Sequence, residues 1–175
     1  MKLPLGAALA LCLCLHAPLT SLEAQQAQGD VELQFSGSLL STVGQEGRSF
    51  TSGMLQTKLG YFISDRVEVG AFPSLLVNRT RVGQQTTTDT RLGMGVFSTY
   101  SFLAEDATTV PYVGGQAYRI DLTDDDETGW VGGNAGVKFY FSPRAAFDVG
   151  GNVLVGLGDA GGTLVLFQVG LSFLL

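Results

Sequence analysis

Hydrophobic and polar positions alternate with a period of two along most of the chain after residue 30. The clearest case is the C-terminal segment, where every second residue is apolar: Val165, Phe167, Val169, Leu171, Phe173 and Leu175. Gln168, Gly170 and Ser172 lie between them. This period is that of a β-strand with one apolar and one polar face. The alternation recurs in about eight segments, which predicts an all-β chain.

Short and long connections alternate between these predicted strands. Short connections are expected at 64–66, 104–109 and 142–144, and polar loops at 41–52, 79–87, 121–129 and 156–162. The short turns then share one rim with both chain ends, which is typical of an up-and-down membrane barrel. The faces of the fifth strand, 110–122, stay unassigned because both are partly apolar.

Aromatic residues are expected to form an interfacial girdle at the short-turn rim. Its predicted members are Phe35, Tyr61, Phe62, Tyr100, Phe102, Tyr112, Phe139, Phe141, Phe147 and Phe173. The alternative is that these rings form the core of a soluble barrel.

The N-terminus has the composition of a secretory signal peptide, predicted to span residues 1–24. Lys2 precedes an apolar stretch at 3–15, and Ala24 supplies a small residue for cleavage, with Ala27 as an alternative site. The apolar stretch is shorter than the roughly 20 residues that a spanning helix needs. Residues 25–175 are then expected to form a single domain.

The end of the chain resembles the C-terminal assembly signal of bacterial outer-membrane β-barrels. Gln168, Gly170 and Phe173 occupy its polar, glycine and first aromatic positions, while Leu175 departs from the usual final Phe. With the leader, the strand count and segments 111–115 and 139–144, the chain resembles the small outer-membrane barrels of the OmpA and OmpX type. The resemblance implies an eight-stranded antiparallel transmembrane barrel, inserted by the barrel assembly machinery and surrounded by outer-membrane lipid.

Composition narrows the functional classes. Cys12, Cys14 and His16 all fall within the leader, so the mature chain contains neither cysteine nor histidine. It therefore lacks the usual Ser-His or Cys-His nucleophile and an ordinary zinc site, and we expect no enzymatic activity and no cofactor. The net charge of −6 argues against nucleic acid as a partner.

Charged residues on the predicted inward faces suggest a polar lumen. By alternation, three acids face three bases: Glu32, Glu68 and Asp148 with Lys58, Arg91 and Lys138. Because an eight-stranded barrel is only wide enough for side chains to fill, we expect these residues to form a paired network that plugs it. The alternative is a gated ion path.

The segment 121–129 is strongly acidic. Asp124, Asp126 and Thr128 match the start of a calcium-binding loop, but the bidentate acid expected later is replaced by Ala135. A solvated loop is the preferred interpretation, and these residues are weak metal candidates.

Three functions remain open at this point. The first is a structural or surface-interaction role, in which the outer loops meet an unknown extracellular partner. The second is a small porin-like channel for ions or solutes. The third is a secreted soluble barrel that binds an apolar ligand, which conflicts with the polar inward faces.

Overall fold

The computed structural model describes residues 26–43, 48–82, 85–104, 108–119, 122, 129–157 and 162–175. Within them, eight antiparallel strands form one closed barrel in sequence order, with β8 paired to β1. The strands are β1 (Val31–Val43), β2 (Arg48–Ser64), β3 (Val67–Val82), β4 (Gln85–Ser101), β5 (Thr109–Arg119), β6 (Gly129–Ser142), β7 (Ala145–Gly156) and β8 (Thr163–Leu174). The predicted eight-stranded barrel is confirmed. The predicted leader, residues 1–24, lies outside the described residues.

In the described part of the chain, no helix is long and apolar enough to span a membrane.

Burial alternates along the strands as the period of two requires. In β8, Leu166, Gln168, Gly170 and Ser172 face inward, while Phe167, Val169 and Leu171 between them are exposed. In β5, whose faces the sequence left open, Val110, Tyr112, Gln116 and Tyr118 are the inward residues. The inward side chains fill the barrel, and the outward ones form its external wall.

Large apolar side chains cover the outer wall. They include Leu55, Leu59, Val96, Val113, Val149, Val153 and Val169, each between 41% and 63% exposed. Such a continuous exposed apolar surface is stable against lipid tails and unfavourable in water.

Aromatic residues follow this apolar belt on the side of the short turns. The outward rings are Phe35, Tyr61, Tyr100, Phe102, Phe139, Phe141, Phe147 and Phe173, with Tyr100 and Phe102 packed edge-on at 5.2 Å between centroids. The prediction was wrong for Phe62 and Tyr112, which are 0% and 5% exposed and face the lumen. Both residues have the inward parity of their strands, and their rings fill space inside the barrel.

The two rims of the barrel differ. The inner rim is defined here by the turns at 65–66 and 143–144, by Gln26, where the described part of the chain begins, and by Leu175. Each turn presents an arginine carbonyl to a neighbouring strand: Arg66 accepts from the Ser101 amide at 2.8 Å, and Arg144 from the Leu174 amide at 2.8 Å. Hydrogen bonds of this kind tie each short turn into the sheet.

The opposite, outer rim is taller on one side. The segments predicted as loops at 41–52 and 79–87 are largely strand, because β1 extends to Val43, β2 begins at Arg48, β3 ends at Val82 and β4 begins at Gln85. A transmembrane strand needs about 9–11 residues, whereas β2 and β4 each have 17. Outside lipid both faces of a sheet meet water, so threonine-rich, polar strands continue the ladder there.

We call this extension, residues 48–53, 77–82 and 85–91, the tall wall. In β4 alternation between buried and exposed positions starts only at Gly93, and Gln85, Thr86, Thr87 and Thr88 are all exposed. The tall wall therefore projects beyond the filled part of the barrel.

Inward-facing glycines leave space for aromatic rings from neighbouring strands. A Cβ at Gly95 would lie 2.8 Å from a ring carbon of Phe72, and one at Gly70 would lie 2.7 Å from a ring carbon of Phe97. The Tyr112 hydroxyl lies 2.6 Å from the position that a Cβ would occupy at Gly150. These glycines explain how a narrow barrel holds several aromatic side chains.

Gly132 and Gly133 provide a matched pair that tests this close packing. A methyl group at Gly132 would overlap the Val153 carbonyl oxygen and lie 2.8 Å from Leu154 Cα, whereas at Gly133 the nearest atom is 3.6 Å away. We expect Gly132→Ala to lower the free energy of unfolding by about 1–3 kcal/mol. Gly133→Ala should leave it nearly unchanged. Urea unfolding in detergent measures both, and equal midpoints for the two variants would contradict this packing.

Candidate functional site

The centre of the lumen holds a buried ion pair between strands on opposite sides of the barrel. Lys138 Nζ on β6 donates to both carboxylate oxygens of Glu32 on β1, at 2.5 and 2.6 Å. Both side chains are at most 3% exposed. Such a pair is stable only when its geometry compensates for the loss of water, and the bidentate contact provides that compensation.

Two more carboxylates lie beside this pair. Glu68 Oε2 on β3 lies 3.7 Å from Lys138 Nζ. Asp148 is the direct cross-strand neighbour of Lys138 and accepts a hydrogen bond from the Tyr112 hydroxyl at 3.0 Å. The structure therefore brings Glu32, Glu68, Lys138 and Asp148 together.

Lys58 completes the charged layer from β2. It is 4% exposed, and its Nζ lies 5.3 Å from the ring centroid of Phe97 and 6.0 Å from that of Phe72. Lys138 likewise lies over the rings of Phe62 and Tyr112, at 5.9 and 5.8 Å. The aromatic faces stabilise both cations where water is excluded.

Arg91 does not belong to this network, contrary to the prediction. Its side chain is 45% exposed and its Nε donates to Asp89 Oδ2 at 2.7 Å. Arg91 has the inward parity of β4, but it lies in the tall wall, where solvent reaches both faces. The described lumen therefore contains three carboxylates, Glu32, Glu68 and Asp148, against the two lysines.

A layer of amide side chains adjoins the charged network. Gln168 on β8 donates to Gln56 on β2, the two strands that flank β1, and Gln116, Asn134 and Asn152 are each at most 7% exposed. The Asn152 side chain has no hydrogen-bond partner among the described residues. Buried amides that lack protein partners generally bind ordered water. The hydrogen bonds within this layer therefore do not satisfy all of its polar groups.

Two apolar clusters enclose the polar layers, and the sequence analysis missed both because it expected polar inward faces. The outer cluster contains Met54, Phe72, Phe97, Tyr118, Leu154 and Leu166. The inner cluster contains Phe62, Val110, Tyr140, Ala146 and Leu174. Their signal was available in the sequence: Phe72 and Phe97, for example, have the same parity as the glycines of their strands.

The segment before β1 closes the inner rim and was also missed. Gln26, 5% exposed, donates to the Asp65 carbonyl at 3.0 Å and accepts from the Tyr140 hydroxyl at 3.2 Å. The Gln28 amide donates to Asp65 Oδ1 at 2.9 Å, and the Gly29 amide to the Phe62 carbonyl at 2.9 Å. Gly29 has φ 97°, which favours glycine.

The residues of the predicted assembly signal lie on both faces of β8. Gln168 faces the lumen, and Gly170 faces inward against Ser36, whose Cβ would be 2.9 Å from an added methyl group. Phe173 faces outward, and the Leu175 amide donates to the Val31 carbonyl at 2.9 Å. Recognition of this segment by the assembly machinery stays a prediction.

The weak metal candidates Asp124, Asp126 and Thr128 lie outside the described residues. Within the described ranges, no group of three or more His, Cys, Asp or Glu side chains is arranged to hold a metal ion.

Comparison with known proteins identifies the fold. No family model and no curated protein sequence matches this chain. The outer membrane protein OprG from Pseudomonas aeruginosa superposes with a TM-score of 0.56 at 14% identity, covering 87% of this chain and 99% of that one. Neisserial surface protein A gives 0.58 at 16% identity, with coverage of 83% and 97%.

The N-terminal β-barrel domain of Pseudomonas aeruginosa OprF gives a TM-score of 0.50 at 20% identity, covering 86% of this chain and 100% of that one. This chain therefore has the fold of the small outer-membrane β-barrels. The apolar outer wall is what that fold requires in a lipid bilayer.

Lys138→Met tests the importance of the central ion pair. Removing one partner leaves Glu32 buried without its cation, so the free energy of unfolding should fall by about 3–5 kcal/mol. Adding Glu32→Gln to this variant should restore most of the loss, because no unpaired carboxylate then remains at that position. Urea unfolding, followed by the gel shift of unboiled samples, measures both variants. If the double variant is no more stable than Lys138→Met, the pair is not what stabilises this layer.

Proposed function

We propose that this protein is a bacterial outer-membrane barrel with a closed lumen, and that it acts through its outer surface as a structural or surface-interaction protein. The observation that carries the proposal is the tall wall, a sheet that extends well beyond the length needed to cross lipid.

The contents of the lumen support a closed barrel. From the inner rim outward, a solute would meet the Gln26 segment, the inner apolar cluster, the charged layer around Lys138 and the outer apolar cluster. An ion would have to separate buried charges and then cross apolar layers, both of which cost free energy. These obstructions argue against the porin-like alternative.

The outer wall argues against a secreted soluble barrel. Apolar side chains such as Leu55, Val96 and Val153 are more than half exposed along the middle of their strands. A surface of this kind aggregates in water and is stabilised by lipid.

The chemistry of the tall wall suggests the type of partner. Its outward positions continue the parity of Val77, which is exposed, and carry Arg79 and Arg81 on β3. The outward positions of β4 there are Thr86, Thr88 and Thr90, and none of these positions is acidic.

This basic, hydroxyl-rich face lies directly above the apolar belt, at the level of lipid headgroups. Arginine binds phosphate with two parallel hydrogen bonds, and threonine hydroxyls donate to phosphate oxygens. The partner we propose is therefore a phosphate-bearing group at the cell surface.

We also propose that the mature chain begins after Ala24. Cleavage after Ala27 would remove Gln26, which joins the Asp65 turn to Tyr140. The contacts of Gln26 thus favour the earlier site.

Replacing both Arg79 and Arg81 with glutamine tests the proposed surface. Charge-assisted hydrogen bonds contribute about 1.5–3 kcal/mol each, so binding of lipopolysaccharide to the folded protein in detergent should weaken at least tenfold. Fluorescence anisotropy of labelled lipopolysaccharide measures the affinity.

The matched control is Arg144→Gln, which makes the same chemical change at the inner rim. It should leave the affinity unchanged. Added salt should weaken binding of the unmodified protein more than that of the double variant, since exposed charges are screened. Equal affinities for all three proteins would contradict the proposed surface.

A further inference from the structure

The seam between β1 and β8 is paired only in its inner half. The register runs from Glu32 opposite Leu174 to Gly37 opposite Val169. By contrast, β7 and β8 stay paired up to Val155 opposite Thr163, and β1 and β2 up to Val43 opposite Ser49. Towards the outer rim, therefore, β1 and β8 each keep one partner strand while the ladder between them has ended.

Two side chains mark the place where the ladder stops. Leu39 and Phe167 would lie opposite each other if the register continued, and they are 77% and 81% exposed. They are the most exposed of the described large apolar side chains because neither is covered from across the seam.

A cavity of about 250 Å³ lies behind this seam. Lumen-facing residues line it, among them Met54, Leu76, Trp130 and Leu166. The lipid-facing residues Leu39, Val165 and Phe167 line it as well. Inward and outward side chains line one space only where that space passes through the wall, so the cavity continues from the lumen to the lipid-facing surface.

The cavity is apolar near the seam and polar towards the outer rim. The Ser52 hydroxyl donates to Asn78 Oδ1 at 2.8 Å. These two residues occupy the next inward-facing positions after Met54 and Leu76 towards the outer rim. Ser38 contributes a further hydroxyl to the cavity lining. The polar end is thus at the side of the membrane surface, and the apolar end is deeper.

We propose that this cavity binds a single-chain amphiphile taken from the outer leaflet, with its hydrocarbon chain among Met54, Leu76 and Leu166 and its polar head at Ser52 and Asn78. An apolar cavity of about 150 Å³ accommodates benzene, and a group the size of water occupies about 30 Å³. By that standard, the cavity of about 250 Å³ fits a chain of about eight methylene groups.

The seam provides the route by which the chain enters. At membrane depth, backbone outside a helix or a closed ladder is tolerated where it is buried in protein or lines a water-filled cavity, and this edge lines the cavity, which is polar towards the outer rim. An alkyl chain passing between Leu39 and Phe167 stays in apolar surroundings throughout, whereas a path through the outer rim would first carry it into water. This site is independent of the phosphate-binding surface, which lies on the outward face of β3 and β4.

Trp130 is the only tryptophan of the chain and lines the cavity, so its fluorescence reports occupancy. With the protein in lipid nanodiscs, octanoate carrying a terminal bromine should quench Trp130 saturably. Leu76→Phe, which fills the cavity, should weaken this binding at least tenfold. Leu75→Phe makes the same change at a neighbouring position outside the cavity lining and should not. Non-saturable quenching, or equal quenching in the two variants, would overturn the binding site.

Entry through the seam is tested with cysteine pairs in the mature chain, which otherwise lacks cysteine. A short bis-maleimide, which adds one cysteine thiol to each of its two double bonds, should slow quenching at least tenfold when it joins Leu39→Cys to Phe167→Cys. Joining Leu33→Cys to Phe173→Cys links the same strands at a paired position and should leave the rate unchanged. If the two cross-linked proteins are quenched at the same rate, the lateral route is wrong.

Discussion

The narrowness of an eight-stranded barrel determines the rest of this structure. Its interior is filled by side chains, so every inward residue must fit against residues from strands across the lumen. Rings are accommodated over inward glycines, as Phe72 is over Gly95. Charges are accommodated beside groups of opposite charge, as Lys138 is with Glu32 and Glu68, or over aromatic rings, as Lys58 is with Phe97 and Phe72.

Because the lumen is filled by side chains, we expect this protein to bind its partners at its surfaces. The central charges are used to hold the strands together, since Glu32 and Lys138 come from β1 and β6 and are fully enclosed. The outer rim is uneven: β2, β3 and β4 extend beyond the other strands, while the pairing between β1 and β8 ends at Gly37 and Val169. A tall polar wall and an apolar opening at the seam thus occur in one small barrel, and the ligands that we propose for them have opposite chemistry.

The sequence predicted the parts of this fold that depend on parity alone. Alternation predicts that Glu32, Lys58 and Asp148 face inward. The difference between short and long polar connections predicts which strand ends belong to each rim. Parity alone gives a wrong prediction where burial also depends on the position of a residue along its strand. Arg91 has the inward parity, but its burial depends on its position along β4, which extends there beyond the filled part of the barrel. The prediction of a loop at 79–87 gives more weight to the polarity of Thr86 and Thr87 than to their β-propensity, and the structure shows that they belong to β4. The β1–β8 cavity depends on where a long-range register ends, which no local pattern encodes.

Single-channel conductance tests the closed lumen most directly. The mature protein, refolded in detergent and shown to be folded by its gel shift without boiling, is inserted into a planar bilayer. We expect a folded, inserted protein that passes no current, because the ionic layer and both apolar clusters obstruct the lumen. Steady and reproducible openings would contradict this account and would make the barrel a channel.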